Sequence, residues 1–168
     1  MRIALTGTPG TGKTTVAAQL ETPYTVVPLG EVVSDRSLIT ERDEVRGTDV
    51  VDIDALDTAT TDLDDVILES HLSHHLPVDR VIVLRCDPLE LKTRLRSRGA
   101  SARSITENAE SEALDLILSE SVARHGRGAV YEIDTTDRSI ESVVEAVEDA
   151  ISGSVKPRAG IVDFTGYL

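Results

Sequence analysis

The residues best suited to chemistry lie between Gly7 and Thr15, where the sequence reads Gly-Thr-Pro-Gly-Thr-Gly-Lys-Thr-Thr. This spacing matches G-x-x-x-x-G-K-[ST], a loop whose backbone N–H groups surround a polyphosphate. A short apolar run precedes the loop and a helical pattern follows it, which is the strand-to-helix setting that such a loop requires. The sequence therefore predicts a site for a nucleoside triphosphate.

Each polar residue of this loop has an expected role. Lys13 places its ammonium between the β- and γ-phosphates, Thr14 gives its hydroxyl to Mg²⁺, and Thr15 lies within reach of the α-phosphate. A side chain at any of the three loop glycines is expected to fill space that the anion needs; these are Gly7, Gly10 and Gly12. The residues expected to bind ATP here are Gly10, Thr11, Gly12, Lys13, Thr14 and Thr15.

A second polar group follows a buried strand that is predicted to end at Glu69. An acid at the carboxyl end of a strand beside such a loop usually holds a magnesium-bound water, so Glu69 is a metal candidate alongside Thr14. The alternative for Glu69 is a helix cap. His71 is expected to face the phosphates. Together with His74 and His75 it forms an H-x-x-H-H pattern, but no cysteine or second cluster in the sequence completes a tetrahedral set, so zinc is not predicted.

Between Arg85 and Arg103 the sequence contains six cations and only two acids. This excess of positive charge predicts a segment that faces phosphate. Arg98 and Arg103 flank a Gly-Ala-Ser-Ala break and are expected to close over a bound nucleotide. Lys92 and Arg96 fit an ordinary solvated helix face. Three further arginines have equal claims to an acceptor phosphate or to the surface, and these are Arg36, Arg42 and Arg46.

The composition excludes several classes of protein. The 168 residues carry a net charge of −13, and fourteen of the 17 cations are arginine. Such an acidic, lysine-poor surface is typical of adaptation to high salt, so we expect a halophilic source. The acidic balance also argues against non-specific binding of nucleic acid across the surface, and no direct sequence-specific binding is expected. A single cysteine, Cys86, allows no intrachain disulfide. Without a signal peptide or a membrane-length apolar run, the protein is expected to be cytoplasmic, and we expect a monomer.

The elements that must position these residues alternate between strands and helices. Strands are predicted over 3–5, 24–29, 65–69, 80–85 and 129–134, and helices over 15–20, near 54, and over 87–99, 104–124 and 139–151. This alternation predicts a three-layer α/β fold with a parallel five-stranded sheet whose carboxyl ends hold the nucleotide. One P-loop domain is expected over 1–151, and a flexible linker and tail over 152–168, with the tail packing on the body or on a partner.

Two other classes of P-loop protein are disfavoured. A GTPase normally reads guanine with N-K-x-D, but the one asparagine, Asn108, is followed by Ala-Glu. A shikimate-type kinase is expected to carry D-x-D after the second strand, where this chain has Leu29-Gly30-Glu31. The remaining layout is that of a nucleoside monophosphate kinase, with an acceptor-binding insertion after the second strand and a lid after the fourth.

Four segments together resemble the archaeal and nuclear CINAP-type adenylate kinases over about residues 1–151; these are the loop at 7–15, Glu69-Ser70-His71, the Asp87-Pro88…Arg94-Leu95…Arg98-Gly99 run and the segment 107–112. The resemblance implies strand order 2-3-1-4-5, an acceptor region over about 30–53 and a short lid over about 98–108. Because the family often has Asp-x-His at this position, Glu69 is a departure that keeps the charge and lengthens its reach.

The resemblance also implies a reaction, which is reversible transfer of the γ-phosphoryl group from MgATP to AMP or another nucleoside monophosphate. Residues predicted to act in it are Lys13, Glu69, His71, Arg98 and Arg103. The alternative is an ATPase assembly factor for rRNA processing and maturation of the small ribosomal subunit, with a platform ribosomal protein of the uS eleven family as partner. A purely structural assembly factor is a third possibility, and kinase and ATPase activities can coexist.

Overall fold

The computed structural model of the chain describes residues 1–44 and 48–168. The strands are β1 (Arg2–Thr6), β2 (Thr25–Pro28), β3 (Ile39–Asp43), β4 (Thr48–Val51), β5 (Val66–Glu69), β6 (Arg80–Arg85) and β7 (Val130–Asp134). The helices are α1 (Lys13–Ala17), α2 (Leu29–Asp35), α3 (Ile53–Thr60), α4 (Pro88–Ser97), α5 (Ala102–Ala113), α6 (Leu116–His125) and α7 (Ile140–Ser152). Short 3₁₀ turns occupy Ser73–His75, Arg127–Ala129 and Thr165–Tyr167.

Five strands form one parallel sheet in the order β2-β5-β1-β6-β7, and β3 and β4 form a separate antiparallel hairpin. With the hairpin set aside, this is the predicted order 2-3-1-4-5, so the fold class and the topology are confirmed. In the register of β1 with β5, Leu5 lies opposite Glu69. The strand that enters the phosphate loop and the strand that ends in the acid are therefore neighbours at the carboxyl edge of the sheet.

Alternating side chains of the central strands build the three layers. Ile3 and Leu5 pack on one face of the sheet with Val147 of α7, whereas Ala4 packs on the other face with Leu118 of α6. Each of these residues is 5% exposed or less. Because both faces of the sheet are covered, the central strands are continuous apolar runs in the sequence. This explains why their positions could be predicted.

The predicted helix over 104–124 is wrong, because two helices occupy this stretch. α5 ends at Ala113 and α6 begins at Leu116. Between them Asp115 adopts the left-handed conformation with φ of 55°, and its carboxylate accepts a hydrogen bond from the buried guanidinium of Arg85. The chain turns here because a tertiary ion pair holds the aspartate in a conformation that a continuous helix excludes.

The predicted acceptor region, 30–53, contains α2, the β3–β4 hairpin and the start of α3. The second strand ends at Pro28 rather than at the predicted Leu29, because Leu29 already begins α2. The helix expected near Asp54 begins at Ile53, where the Asp52 side chain accepts a hydrogen bond from Ala55 N at 2.9 Å. This is the N-cap geometry that stabilises the first turn of a helix.

The tail packs back on the body, and the stretch expected to be a flexible linker takes part. Arg158 forms a parallel bridge with Tyr131 of β7, and its carbonyl accepts from Glu132 N at 2.9 Å. Phe164 covers the Arg85 guanidinium at 5.3 Å, measured from Cζ to the ring centroid. The tail thus shields the outer edge of the sheet.

None of the helices described here is long and apolar enough to cross a membrane.

Candidate nucleotide-binding site

The loop between β1 and α1 depends on three glycines with positive φ, which are Gly7, Gly10 and Gly12. A Cβ at Gly7 would lie 2.4 Å from the carbonyl oxygen of Leu84, and one at Gly10 would lie 2.9 Å from Leu95 Cδ2. At Gly12 a Cβ would meet nothing within 4 Å, and the cost there is the φ of 102°. The glycines therefore let the loop approach β6 and α4 and turn into α1, and the expectation that a side chain here would fill the anion's space stays a prediction.

Lys13 lies inside this loop. Its Nζ donates hydrogen bonds to Gly7 O at 2.7 Å and to Thr8 O at 3.1 Å, and its side chain is buried. Burial lowers the pKa of Lys13 to about 8, although the nearby carboxylates of Glu69 and Glu112 oppose the shift. The ammonium is thus held at the centre of the loop with little water around it, where a phosphate would interact with it strongly.

Thr14 and Glu69 come together at the neighbouring strand ends. Thr14 Oγ1 lies 3.4 Å from Glu69 Oε1, and the Glu69 side chain is buried whereas Thr14 is open to solvent. A hydroxyl and a carboxylate are oxygen ligands of the kind that Mg²⁺ prefers, so this pair fits the metal of a MgATP complex.

His71 follows β5 by two residues. Part of its side chain is exposed, yet burial lowers its pKa to about 4, and the positive charge of Lys13 adds to the effect. The imidazole is therefore neutral near pH 7. A neutral ring nitrogen at this position, two residues after Glu69, can accept a proton or a hydrogen bond.

A cavity of about 230 Å³ opens beside the loop. Its lining includes the loop residues 10–12 with Thr15 and three arginines, Arg94, Arg98 and Arg138. It also includes the apolar residues Val16, Ile140 and Val143. A lining that combines cationic and apolar side chains suits a ligand with both phosphates and a flat base.

Arg138 was not predicted, and Arg94 was counted among the six cations of the predicted phosphate-facing segment. Arg94 Nη1 lies 3.4 Å from Thr11 O and 3.2 Å from Thr135 Oγ1, so it links the phosphate loop to the end of β7. Arg138 follows β7 and hydrogen-bonds Asp134 O at 3.1 Å. For Arg138 the sequence offered one signal, which is its position just after a predicted strand. Residues that follow a parallel strand lie at the same edge of the sheet as the phosphate loop.

The other predicted cations lie elsewhere. Arg103 is in α5, is exposed, and pairs with Glu107 at 2.9 Å, and it is not among the residues that line the cavity. Arg85 is 1% exposed and donates to Glu112, Glu132 and Asp115, so the expectation that the cation-rich stretch faces phosphate fails for this residue.

The candidate acceptor arginines lie on the surface where they are described. Arg36 caps the end of α2 and is exposed. Arg42 is exposed in β3 and lies 4.0 Å from Asp49. Arg46 lies outside the described residues.

A buried carboxylate that the sequence did not single out supports the loop from behind. Glu112, in the last turn of α5, accepts from Arg85 Nε at 2.7 Å and from Cys86 N at 3.0 Å. It also accepts from the hydroxyl of Thr8. The phosphate loop is thus connected to α5 and to the end of β6 through one side chain.

Comparisons with known proteins agree with this geometry. Residues 3–115 match the family described as AAA domain. Relatives named "Putative adenylate kinase" come from Natronomonas pharaonis (52% identical, covering 100% of both chains) and Methanocaldococcus jannaschii (41% identical, covering 98% of this chain and 93% of the relative).

Solved structures of similar fold are a shikimate kinase from Bacteroides thetaiotaomicron and a deoxyadenosine kinase from M. mycoides. The first has a TM-score of 0.55 at 20% identity and covers 90% of this chain and 98% of its own. The second has a TM-score of 0.59 at 15% identity and covers 92% of this chain and 100% of its own. At these identities the likeness concerns the fold. The chain therefore belongs to the AAA-domain family and, within it, to the group of archaeal proteins that carry the name "Putative adenylate kinase".

Proposed function

We propose that this chain is a nucleoside monophosphate kinase that transfers the γ-phosphoryl group of MgATP to AMP or another nucleoside monophosphate, and that it also hydrolyses ATP. The observation that carries the proposal is the enclosed ammonium of Lys13, 2.7 Å from Gly7 O, beside the Thr14–Glu69 pair. The names of the archaeal relatives support the same reaction.

In the proposed reaction an oxygen of the acceptor phosphate attacks the γ-phosphorus, the bond to the β–γ bridging oxygen breaks, and ADP leaves. Lys13 and Arg98 neutralise charge on the transferring group. Thr14 and Glu69 would hold Mg²⁺, which when bound offsets the charge of the β- and γ-phosphates.

The adenine base of ATP is proposed to lie against the apolar lining of the cavity near Val143. The acceptor monophosphate is proposed to lie near the region 30–53. Closure of the α4–α5 connection, with Arg103 approaching the phosphates, would exclude the water that otherwise competes as acceptor. These two roles, the lid over about 98–108 and the acceptor region, rest on the CINAP-type resemblance.

A second role is favoured by one observation, which is the neutral imidazole of His71 near Lys13. A neutral ring can orient a water toward the γ-phosphate, so we propose that ATP hydrolysis proceeds through His71. Such an ATPase would suit a timing step in maturation of the small ribosomal subunit, with a platform protein of the uS eleven family as partner. The ribosomal role and its partner rest on the CINAP-type resemblance alone.

One experiment separates these activities. ADP formed from ATP is measured by chromatography, with and without a panel of nucleoside monophosphates, and free phosphate is measured in the same samples. We expect ADP formation to rise at least tenfold with the preferred monophosphate, without a matching rise in phosphate. ATP consumption that no monophosphate changes would refute the kinase.

Two variants assign the residues. Lys13→Met is expected to abolish both transfer and hydrolysis, because both need the charge in the loop. His71→Asn is expected to lower phosphate release at least tenfold while transfer to AMP changes little. If His71→Asn lowers both rates equally, the hydrolytic role assigned to His71 is wrong.

A further inference from the structure

Three side chains form a compact group behind the phosphate loop, outside the nucleotide cavity. His74 and His75 lie in the 3₁₀ turn after β5, and Glu120 lies on α6. Glu120 Oε2 is 2.9 Å from His74 Nε2 and 3.9 Å from His75 Nε2. One ligand atom from each residue lies within 4.8 Å of the others, and over residues 1–44 and 48–168 this is the one such set of three.

These distances fit a transition-metal dication. Ligand atoms about 2.1 Å from a tetrahedral zinc lie about 3.4 Å from one another, and the two measured separations bracket that value. Two imidazoles and a carboxylate are a donor set that zinc and its neighbours accept readily, whereas Mg²⁺ prefers oxygen alone. The group therefore differs in chemistry from the Thr14–Glu69 pair.

The surroundings of His74 hold its ring in place. Its Nδ1 lies 3.0 Å from the hydroxyl of Thr6, the last residue of β1, and its side chain is 1% exposed. A hydrogen bond to the second ring nitrogen is how metal-binding histidines are usually oriented. The ring thus presents Nε2 toward Glu120 from a rigid position.

Access and vacant coordination positions come from the other two residues. His75 is 32% exposed and Glu120 is 53% exposed, so an ion can enter from solvent and keep a water ligand. The imidazoles of His74 and His75 lie side by side, with ring centroids 4.1 Å apart. Only the exposed side chains would need to move to complete the coordination.

We propose that His74, His75 and Glu120 bind a divalent transition metal of the zinc class, which fastens α6 to the turn after β5. The sequence disfavoured zinc because the third ligand is 45 positions away from His75, on another element, and His71 is not part of the set. A bound metal would strengthen a contact that already exists, because His125 Nε2 of α6 lies 2.7 Å from His74 O.

The test uses the full chain without nucleotide or magnesium, so it does not depend on kinase or ATPase activity. Zinc binding is measured by calorimetry, and Co²⁺ is added separately to record the visible absorption of a tetrahedral or five-coordinate site. We expect one tight zinc site per chain, and His75→Asn and Glu120→Gln should each weaken zinc binding at least tenfold. Both side chains are partly exposed, so these variants should fold.

Matched controls are His71→Asn, a neighbouring histidine outside the set, and Glu110→Gln, an exposed acid on α5. Both should bind zinc like the unchanged chain. Saturating zinc should raise the thermal midpoint of the unchanged chain but not that of Glu120→Gln. Absence of a stoichiometric zinc site, or equal loss of binding in His71→Asn, would overturn the proposal. If a variant does not fold, the Co²⁺ spectrum of the unchanged chain decides between nitrogen–oxygen ligation and no site.

Discussion

Lys13 carries a charge that the free protein holds at a cost. Burial lowers its pKa to about 8, so near that pH half of the free molecules have lost the proton. A bound polyphosphate favours the protonated form, and binding above the pKa must therefore take up a proton. We expect the Kd for MgATP to be nearly constant below about pH 7.5 and to rise by up to about tenfold per pH unit above about pH 8. Titration with a fluorescent ATP analogue from pH 6.5 to 9.5 measures this.

Lys13→Arg is the matched variant for this pH dependence. A guanidinium stays charged throughout this range, so the variant should bind more weakly at pH 7 but lose the slope above pH 8. A slope that persists unchanged in Lys13→Arg would show that another group titrates.

The loop residues that sequence analysis predicted share one property, which is closeness along the chain. Residues 7–15 form one loop, so their spacing alone fixes their chemistry. Arg138 reaches the same cavity from 125 positions beyond Lys13, and Glu112 approaches from behind. Arg138 lies in no motif, and Glu112 was cited only as the end of the segment 107–112, because their place depends on how β7 and α5 pack. For the same reason the cation count could not separate Arg98, at the cavity, from Arg85, in a buried ion cluster.

At the scale of elements, α5 carries one buried charged side chain, Glu112, beside its buried apolar residues. Glu112 is 3% exposed and accepts hydrogen bonds from Arg85, Cys86 N and Thr8. Glu112→Ala would remove this carboxylate from Arg85 Nε, Cys86 N and the Thr8 hydroxyl in the interior, although Arg85 keeps its ion pairs with Glu132 and Asp115. We expect the free energy of unfolding to fall by about 3–5 kcal/mol, measured by urea titration with circular dichroism.

Glu107→Ala is the control on the same helix. Its ion pair with Arg103 has side chains 42% and 52% exposed, and solvent screening limits the loss to about 0.5 kcal/mol or less. Equal urea midpoints for the two variants would mean that the buried carboxylate does not anchor α5.

Elements were predictable where local pattern and tertiary packing agree. The strands of the parallel sheet are apolar on both faces, so their positions came within about two residues. β3 has exposed residues along most of its length, so no alternation of apolar and polar residues predicted the hairpin. In 104–124 the apolar spacing fits one helix or two equally well, and only the contact between Asp115 and Arg85 decides.

At the scale of the whole molecule, the tail packs against residues that are distant in sequence. The sequence left open whether residues 161–168 pack on the body, because two aromatic side chains suit either outcome. Their partners are distant in sequence: Ile161 N donates to Glu132 at 2.7 Å, and Tyr167 contacts Lys92. Burial of the Arg85 cluster beneath Phe164 gives the tail its place.

The net charge of −13 makes self-repulsion a property of the entire surface rather than of any one pair. Salt shortens the screening length from about 10 Å at 0.1 M to about 3 Å at 1 M, which removes most repulsion between exposed acids. That the protein works in concentrated salt stays a prediction from this charge.

We therefore expect the thermal unfolding midpoint to rise steeply between about 0.1 M and 2 M KCl, as measured by circular dichroism. Replacing three exposed acids by glutamine, at Glu110, Glu141 and Glu145, removes repulsion without touching the core, so this variant should be more stable in low salt and depend less on KCl. The comparison matters because KCl also strengthens apolar burial, and that effect would be the same in both proteins. Equal stability with and without molar KCl would rule out adaptation of the surface to salt, and parallel curves for the two proteins would assign the salt effect to the core instead.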